Sequence, residues 1–96
     1  MAKALSDEQI GEALGQLEGW AHEGHALKKR FTFPTFPEAI SFLTRIAFEA
    51  EKLDHHPEIR NVYGTVDIAL TTHDAGNRVT SRDVELAKRI QAIAWV

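Results

Sequence analysis

Three stretches of the chain repeat apolar residues at helical spacing. Ile10, Ala13, Leu14 and Leu17 form the first stripe, and Ala39, Phe42, Leu43, Ile46, Ala50 and Leu53 the second. Leu86, Ile90 and Ile93, flanked by Ala87 and Ala94, form the third. Each stripe follows a hydroxyl residue at a candidate N-cap, with a polar acceptor three positions on: "SDEQ" (Ser6 to Gln9), "TFPE" (Thr35 to Glu38) and "TSRD" (Thr80 to Asp83). The pattern predicts three helices starting there, the first stopping at Gly19.

The intervening segments alternate at strand spacing. In "LKKRFTF", Leu27, Phe31 and Phe33 share one parity and Lys28, Arg30 and Thr32 the other. In "VDIALTTH", Val66, Ile68 and Leu70 alternate with Asp67, Ala69, Thr71 and His73. His73 therefore points away from the apolar face, unless the strand bends or ends first. "NVYGTV" around Gly64 reads as a hairpin turn from a short strand near Ile59 to Tyr63. The predicted order is α-β-β-α-β-β-α: an α+β fold whose four-stranded antiparallel sheet carries three helices on one face, in a single domain spanning 1–96. Phe48 falls opposite the apolar stripe of the second helix and marks a candidate partner surface.

Composition narrows the function classes. The chain has 96 residues, 44% of them hydrophobic and 26% charged, as in ordinary globular domains. No run reaches the length of a membrane span, and "MAKALSDEQI" lacks a signal-peptide apolar core, so a cytoplasmic protein is expected. Absence of cysteine excludes disulfides, thiolate zinc sites and cysteine nucleophiles. A net charge of −3 argues against direct nucleic-acid binding, and the basic "LKKRF" reads as a solvated strand face.

The five histidines carry the candidate chemistry. His22 and His25, in the turn "WAHEGHAL", read as exposed bystanders. His55 and His56, in "AEKLDHHPEIRNVYG", fall at the end of the second helix before Pro57, which reads as its stop. There the helix dipole offers one explanation for the pair. A metal site is a second, disfavoured because adjacent helical side chains diverge by about 100° and no tight ligand spacing such as HExxH is present. Metal-free acid–base catalysis is a third, since imidazole exchanges protons near neutral pH and His73 could approach from another direction.

"EKLDHHPEIRNVYGTVDIALTTHDAGNRVTSRD" closely resembles the signature of the pterin-4a-carbinolamine dehydratases. That signature places an acidic residue before His-His-Pro, then an aromatic, a downstream histidine and an aspartate opening the last helix. Here these are Glu51, His55-His56-Pro57, Tyr63, His73 and Asp83. The loop "DAGNRVTSRD" is one residue longer than in some members. The resemblance implies conversion of a 4a-hydroxytetrahydropterin, the product of an aromatic amino acid hydroxylase, to quinonoid dihydropterin and water. It implies no metal or other cofactor, the pterin being the substrate, and a homodimer or homotetramer.

By the same resemblance His55 is expected to act as general acid toward the hydroxyl. His73 is expected as its acid/base counterpart, and His56 as a pterin-holding assistant. Glu51, at i−4 from His55, is expected to orient that imidazole. Asp54 could steer either ring, Thr71 and the Thr72 backbone could meet the pterin, and Trp20 could border it or lie in the core. Asp83 serves the site, the capping box, or both. Animal members also bind and stabilise dimers of a homeodomain transcription factor, so a non-catalytic binding protein is the rival expectation.

Overall fold

The computed structural model describes residues 3–96. Helix α1 (Asp7–Leu14) leads into strands β1 (Ala21–Glu23) and β2 (Ala26–Thr32), then helix α2 (Phe36–Leu53). Strands β3 (Glu58–Val62) and β4 (Thr65–Leu70) follow, then a 3-10 turn (His73–Ala75) and helix α3 (Ser81–Ile93). The strands pair antiparallel throughout, in the order β1-β2-β4-β3. This is the α+β arrangement and element order that the periodicities predict.

All three helix starts use the expected caps. The Ser6 hydroxyl accepts from the Gln9 backbone N–H and the Thr80 hydroxyl from that of Arg82, and the Gln9 and Asp83 side chains answer by accepting from the cap backbones, completing two capping boxes. Thr35 accepts from the Glu38 backbone, but its hydroxyl donates to the Glu38 carboxylate, so the reciprocal half is missing.

The core lies between the helices and one parity of the sheet. Leu27 and Phe31 of β2 and Val66, Ile68 and Leu70 of β4 join Ala39, Phe42 and Ile46 of α2 and Leu86 and Ile90 of α3 in one buried cluster. The ring centroid of Phe42 stands 4.8 Å from that of Phe31 and 5.0 Å from that of Phe33. Lys29 shares the buried parity of β2, and its ammonium is kept there by acceptors. Nζ donates to Gln91 Oε1 at 2.7 Å and to the Glu18 carbonyl at 2.8 Å, over the Phe31 ring. Burial lowers its pKa below the ordinary lysine value, with the Glu18 charge opposing.

Two helix ends differ from expectation. Helix α1 stops at Leu14, not Gly19. From Gly15 to Leu17 the chain tightens into three-residue hydrogen bonds, which still deliver Leu17 to the core. Helix α2 is ended by Asp54, whose left-handed backbone (φ 48°) turns the chain three residues before Pro57. Pro57 therefore lies beyond the stop, in the extended link to β3.

The β3–β4 hairpin turns at Tyr63 and Gly64, as expected. Gly64 is required by proximity: a Cβ there would sit 2.2 Å from the Phe33 carbonyl oxygen, while its own carbonyl accepts from Phe33 N–H at 2.8 Å. Relief would need backbone movement at the end of β2. Gly64→Ala should therefore lower stability by about 1–3 kcal/mol, the usual cost of overpacking. Urea unfolding checks this, and an unchanged midpoint would show that the hairpin tip can shift freely.

Candidate active site

The site forms where three chain ends converge: the C-terminus of α2, the end of β4 and the start of α3. Asp54 turns the chain out of the helix, and the two histidines that follow lie between it and β3. His55 turns inward and is 7% exposed, whereas His56 is exposed. The expected placement of both rings on the helix is thus corrected, and with it their partners.

His55 Nε2 lies 2.5 Å from Asp83 Oδ1, and this pair is buried. His56 Nε2 lies 2.7 Å from Glu51 Oε1. Glu51 was expected to orient His55 through i−4 geometry. The left-handed turn at Asp54 breaks that geometry and gives Glu51 to His56.

Asp83 is fully buried in the first turn of α3. Its Oδ2 accepts from the Thr80 backbone N–H and the Thr72 hydroxyl, both at 2.8 Å, while Oδ1 faces His55. Asp83 thus combines the two roles open to it, closing the capping box and holding an imidazole. Thr72 is also buried, its hydroxyl committed to Asp83 and to Thr80, so its side chain is not free to hold a ligand.

Strand β4 ends at Leu70, before its parity reaches His73. Thr72 still follows the apolar parity into the interior, and its backbone closes the next loop. Its N–H donates to the Arg78 carbonyl, and its carbonyl accepts from Ala75 and Asn77. Left-handed Gly76 and Asn77 turn that loop back, so its length leaves Asp83 beside His55. His73 opens the 3-10 turn, exposed, with Nδ1 3.3 Å from Asn77 Oδ1.

His55, His56 and His73 line one open depression of about 350 Å³, shared with Asp54, Thr71 and Arg82. Each imidazole has one nitrogen against an oxygen acceptor: Asp83, Glu51 or Asn77. The arrangement leaves the other nitrogen of each ring for proton exchange with a bound molecule. Among the described residues, no group of three or more His, Cys, Asp or Glu side chains is placed to hold a metal ion. A larger depression, about 470 Å³, lies on the outer face of the sheet. It contains no histidine, and its Asp67 is bound by Arg30 at 2.7 Å, which holds that carboxyl below its ordinary pKa. The three histidines lie with the smaller one.

Of the expected residues, Glu51, Pro57, Asp83 and Trp20 do not line the depression, Glu51 and Asp83 standing behind His56 and His55. Trp20 is a core tryptophan packed edge-on to Phe31, its indole N–H donating to Gln91. Pro57 supports the link to β3 without lining the site. The sequence reading missed Arg82. Its guanidinium donates to the Asp54 carbonyl at 2.6 Å and to that of Leu53 at 3.4 Å, tying the end of α2 to the start of α3. Its position beside Asp83 in the "TSRD" box was the available signal.

Removing Asp83 would strand a backbone donor, a hydroxyl and an imidazole in the interior. Asp83→Ala should cost about 3 kcal/mol or more, because hydrogen bonds to a buried carboxylate from His55, Thr72 and Thr80 are lost at about 1.5–3 kcal/mol each. Thermal and urea denaturation measure this. A loss below about 2 kcal/mol, the upper range for an N-cap contact alone, would show that the His55 contact adds nothing.

Comparison with known proteins agrees with the geometry. The family model described as pterin 4 alpha carbinolamine dehydratase matches residues 3–93. A protein of Opitutus terrae named "Putative pterin-4-alpha-carbinolamine dehydratase" is 53% identical over 96 residues, covering 100% of this chain and 99% of that one. One of the same name from Rhodopseudomonas palustris is 54% identical, covering 98% and 94%. The crystal structure of a transcriptional coactivator/pterin dehydratase from Brucella melitensis aligns with a TM-score of 0.91 at 40% identity, over 96% of this chain and 99% of that one. A pterin dehydratase-like protein identified as a RuBisCO assembly factor in the alpha-carboxysome aligns with a TM-score of 0.68 at 27% identity, over 81% and 92%. With a match running almost end to end, this chain belongs to the pterin-4a-carbinolamine dehydratase family.

Proposed function

We propose that the protein is a 4a-hydroxytetrahydropterin dehydratase working by histidine acid–base catalysis. The observation that carries this reading is the ring of three histidines around one depression, each tethered through a single nitrogen. In the substrate a hydroxyl and a ring N–H sit on adjacent atoms. Dehydration breaks the C–O bond with a proton delivered to the departing oxygen. The N–H gives up its proton, and its electron pair becomes the new C=N bond of the quinonoid dihydropterin. One proton is supplied and one is taken, so no external oxidant or reductant enters.

In this reading His55 delivers the proton to the hydroxyl. Asp83 keeps its Nε2 as a donor, so the proton that comes and goes rides on Nδ1. His73 faces the depression from the β4 side and serves as the acid/base counterpart. His56, steadied by Glu51, holds the pterin and assists. Thr71 and Asp54 border the same space and are proposed to contact the ring. No cofactor beyond the pterin substrate is invoked, and the setting is the cytoplasm, beside the hydroxylase whose product is consumed.

The depression is open to solvent, and several apolar side chains are exposed elsewhere on the surface. Phe48 is 66% exposed on the outer side of α2, as its angular position predicts, and Ile40 lies on the same helix. Edge strand β3 adds Ile59, Val62 and the turn residue Tyr63. Such exposure on a small domain supports self-association as a homodimer or homotetramer. Sedimentation velocity should show one of these species, and a monomer at all concentrations would refute the assembly. Those exposed side chains also favour the rival reading, a binding role such as that of the RuBisCO assembly factor among its structural relatives.

The deciding measurement is dehydration of freshly generated 4a-hydroxytetrahydropterin, with and without chelator. Turnover should resist the chelator. His55→Ala should lower the rate by about 100-fold or more, the scale for losing a positioned acid. An unchanged rate in that variant removes His55 from the mechanism, and no turnover by the intact protein favours the binding role.

A further inference from the structure

We propose that Thr80 and Thr72 form a one-way hydroxyl relay ending on Asp83, which fixes the nitrogen that His55 presents to the depression and makes Thr72 a positioning residue. The catalytic consequence rests on the dehydratase reading, whereas the relay does not. Hydrogen counting gives its direction. A hydroxyl has one proton to donate. Thr72 spends its own on Asp83 Oδ2 at 2.8 Å, so in the 2.6 Å contact with Thr80 it must accept. Thr80 therefore donates to Thr72 while accepting from the Arg82 backbone N–H at 3.2 Å. Only one orientation of both hydroxyls satisfies every contact.

The relay is sealed from solvent: Thr72 and Thr80 are each 1% exposed and Asp83 is 0%. Oδ2 receives two donors, and Oδ1 is left aimed at His55 Nε2 at 2.5 Å. An ionised carboxylate only accepts, so the proton between them sits on nitrogen. The opposite tautomer would set a nitrogen lone pair against a carboxylate oxygen. No buried side-chain nitrogen or oxygen among the described residues lacks a partner, so Nδ1, which has none, is open to solvent. Thr72 is thus assigned to the carboxylate behind the histidine and not to the pterin.

Long-range nitrogen–proton NMR correlation on the uniformly labelled full chain reads the His55 tautomer without any substrate. The intact protein should show His55 as Nε2–H, and an Nδ1–H tautomer overturns the proposal whatever the enzyme assay gives. In Thr72→Val the Nε2–H population should fall. The dehydration kcat should drop about tenfold with little change in KM, the scale for partners that orient a functional histidine. Thr72→Ser keeps the hydroxyl and should keep both readouts. Thr72→Val that loses only thermal stability, with tautomer and kcat intact, makes Thr72 merely structural. A rise in KM with the tautomer unchanged returns Thr72 to the substrate. A folded Thr72→Ser that fails as Thr72→Val does overturns the relay, and a tautomer that shifts as expected in a protein without turnover supports the relay while removing the dehydratase reading.

Discussion

A carboxylate withdrawn completely from water costs several kcal/mol unless donors surround it. Asp83 meets that constraint with a backbone N–H, a threonine hydroxyl and an imidazole, drawn from α3, the segment after β4 and the segment after α2. Satisfying one charge therefore fastens three chain ends to one another. The capping box that starts α3 and the contact that holds His55 use the same side chain, so helix register and imidazole position are not separately adjustable. Burial of the sheet's apolar parity brings these ends together, and Asp83 fixes how they meet.

The left-handed residue Asp54 makes that meeting possible. Had α2 continued through the histidines, neighbouring rings would diverge by about 100° along one helix surface. Ending the helix at Asp54 releases them from that surface, and one ring turns into the interior and the next toward solvent. Left-handed backbone is unfavourable for most side chains, though aspartate is among the residues that tolerate it. Arg82 stabilises the turn from α3 by donating to the carbonyls of Leu53 and Asp54, which the helix leaves without partners. The arginine and its neighbouring aspartate thus grip the two sides of the same turn.

Features set by neighbours in sequence were legible before the structure. The caps at Ser6, Thr35 and Thr80, the helical stripes, the alternation of β2 and β4, and the exposure of Phe48 all follow from local spacing. The residues of the site were legible too, because the ordered set around His55-His56-Pro57 resembles one family. Their pairing was not. Assigning Glu51 to His55 assumed a helix that continued, and a single left-handed residue, chosen by tertiary contacts across 28 positions, reassigned it to His56. The partners of Thr72 and Trp20 were not legible for another reason: spacing shows which way a side chain points, not which buried group consumes its hydrogen bonds. Arg82 escaped notice because its partners are backbone carbonyls, which carry no residue-type signal.

The energetics of the buried pair bear on what the protein is for. Replacing both partners of a buried hydrogen bond with apolar groups of the same shape is often nearly neutral or stabilising, so such a pair is poorly explained by stability alone. Here the cluster reaches further than one pair: two threonines, an aspartate and a histidine are sealed into a core of 96 residues. An exposed apolar surface for a partner does not call for the imidazole in that cluster. The interior instead spends hydrogen bonds on aiming one imidazole at an open depression shared with two others. A ring held that way, with one nitrogen fixed and one free, is of use to a reaction that moves protons.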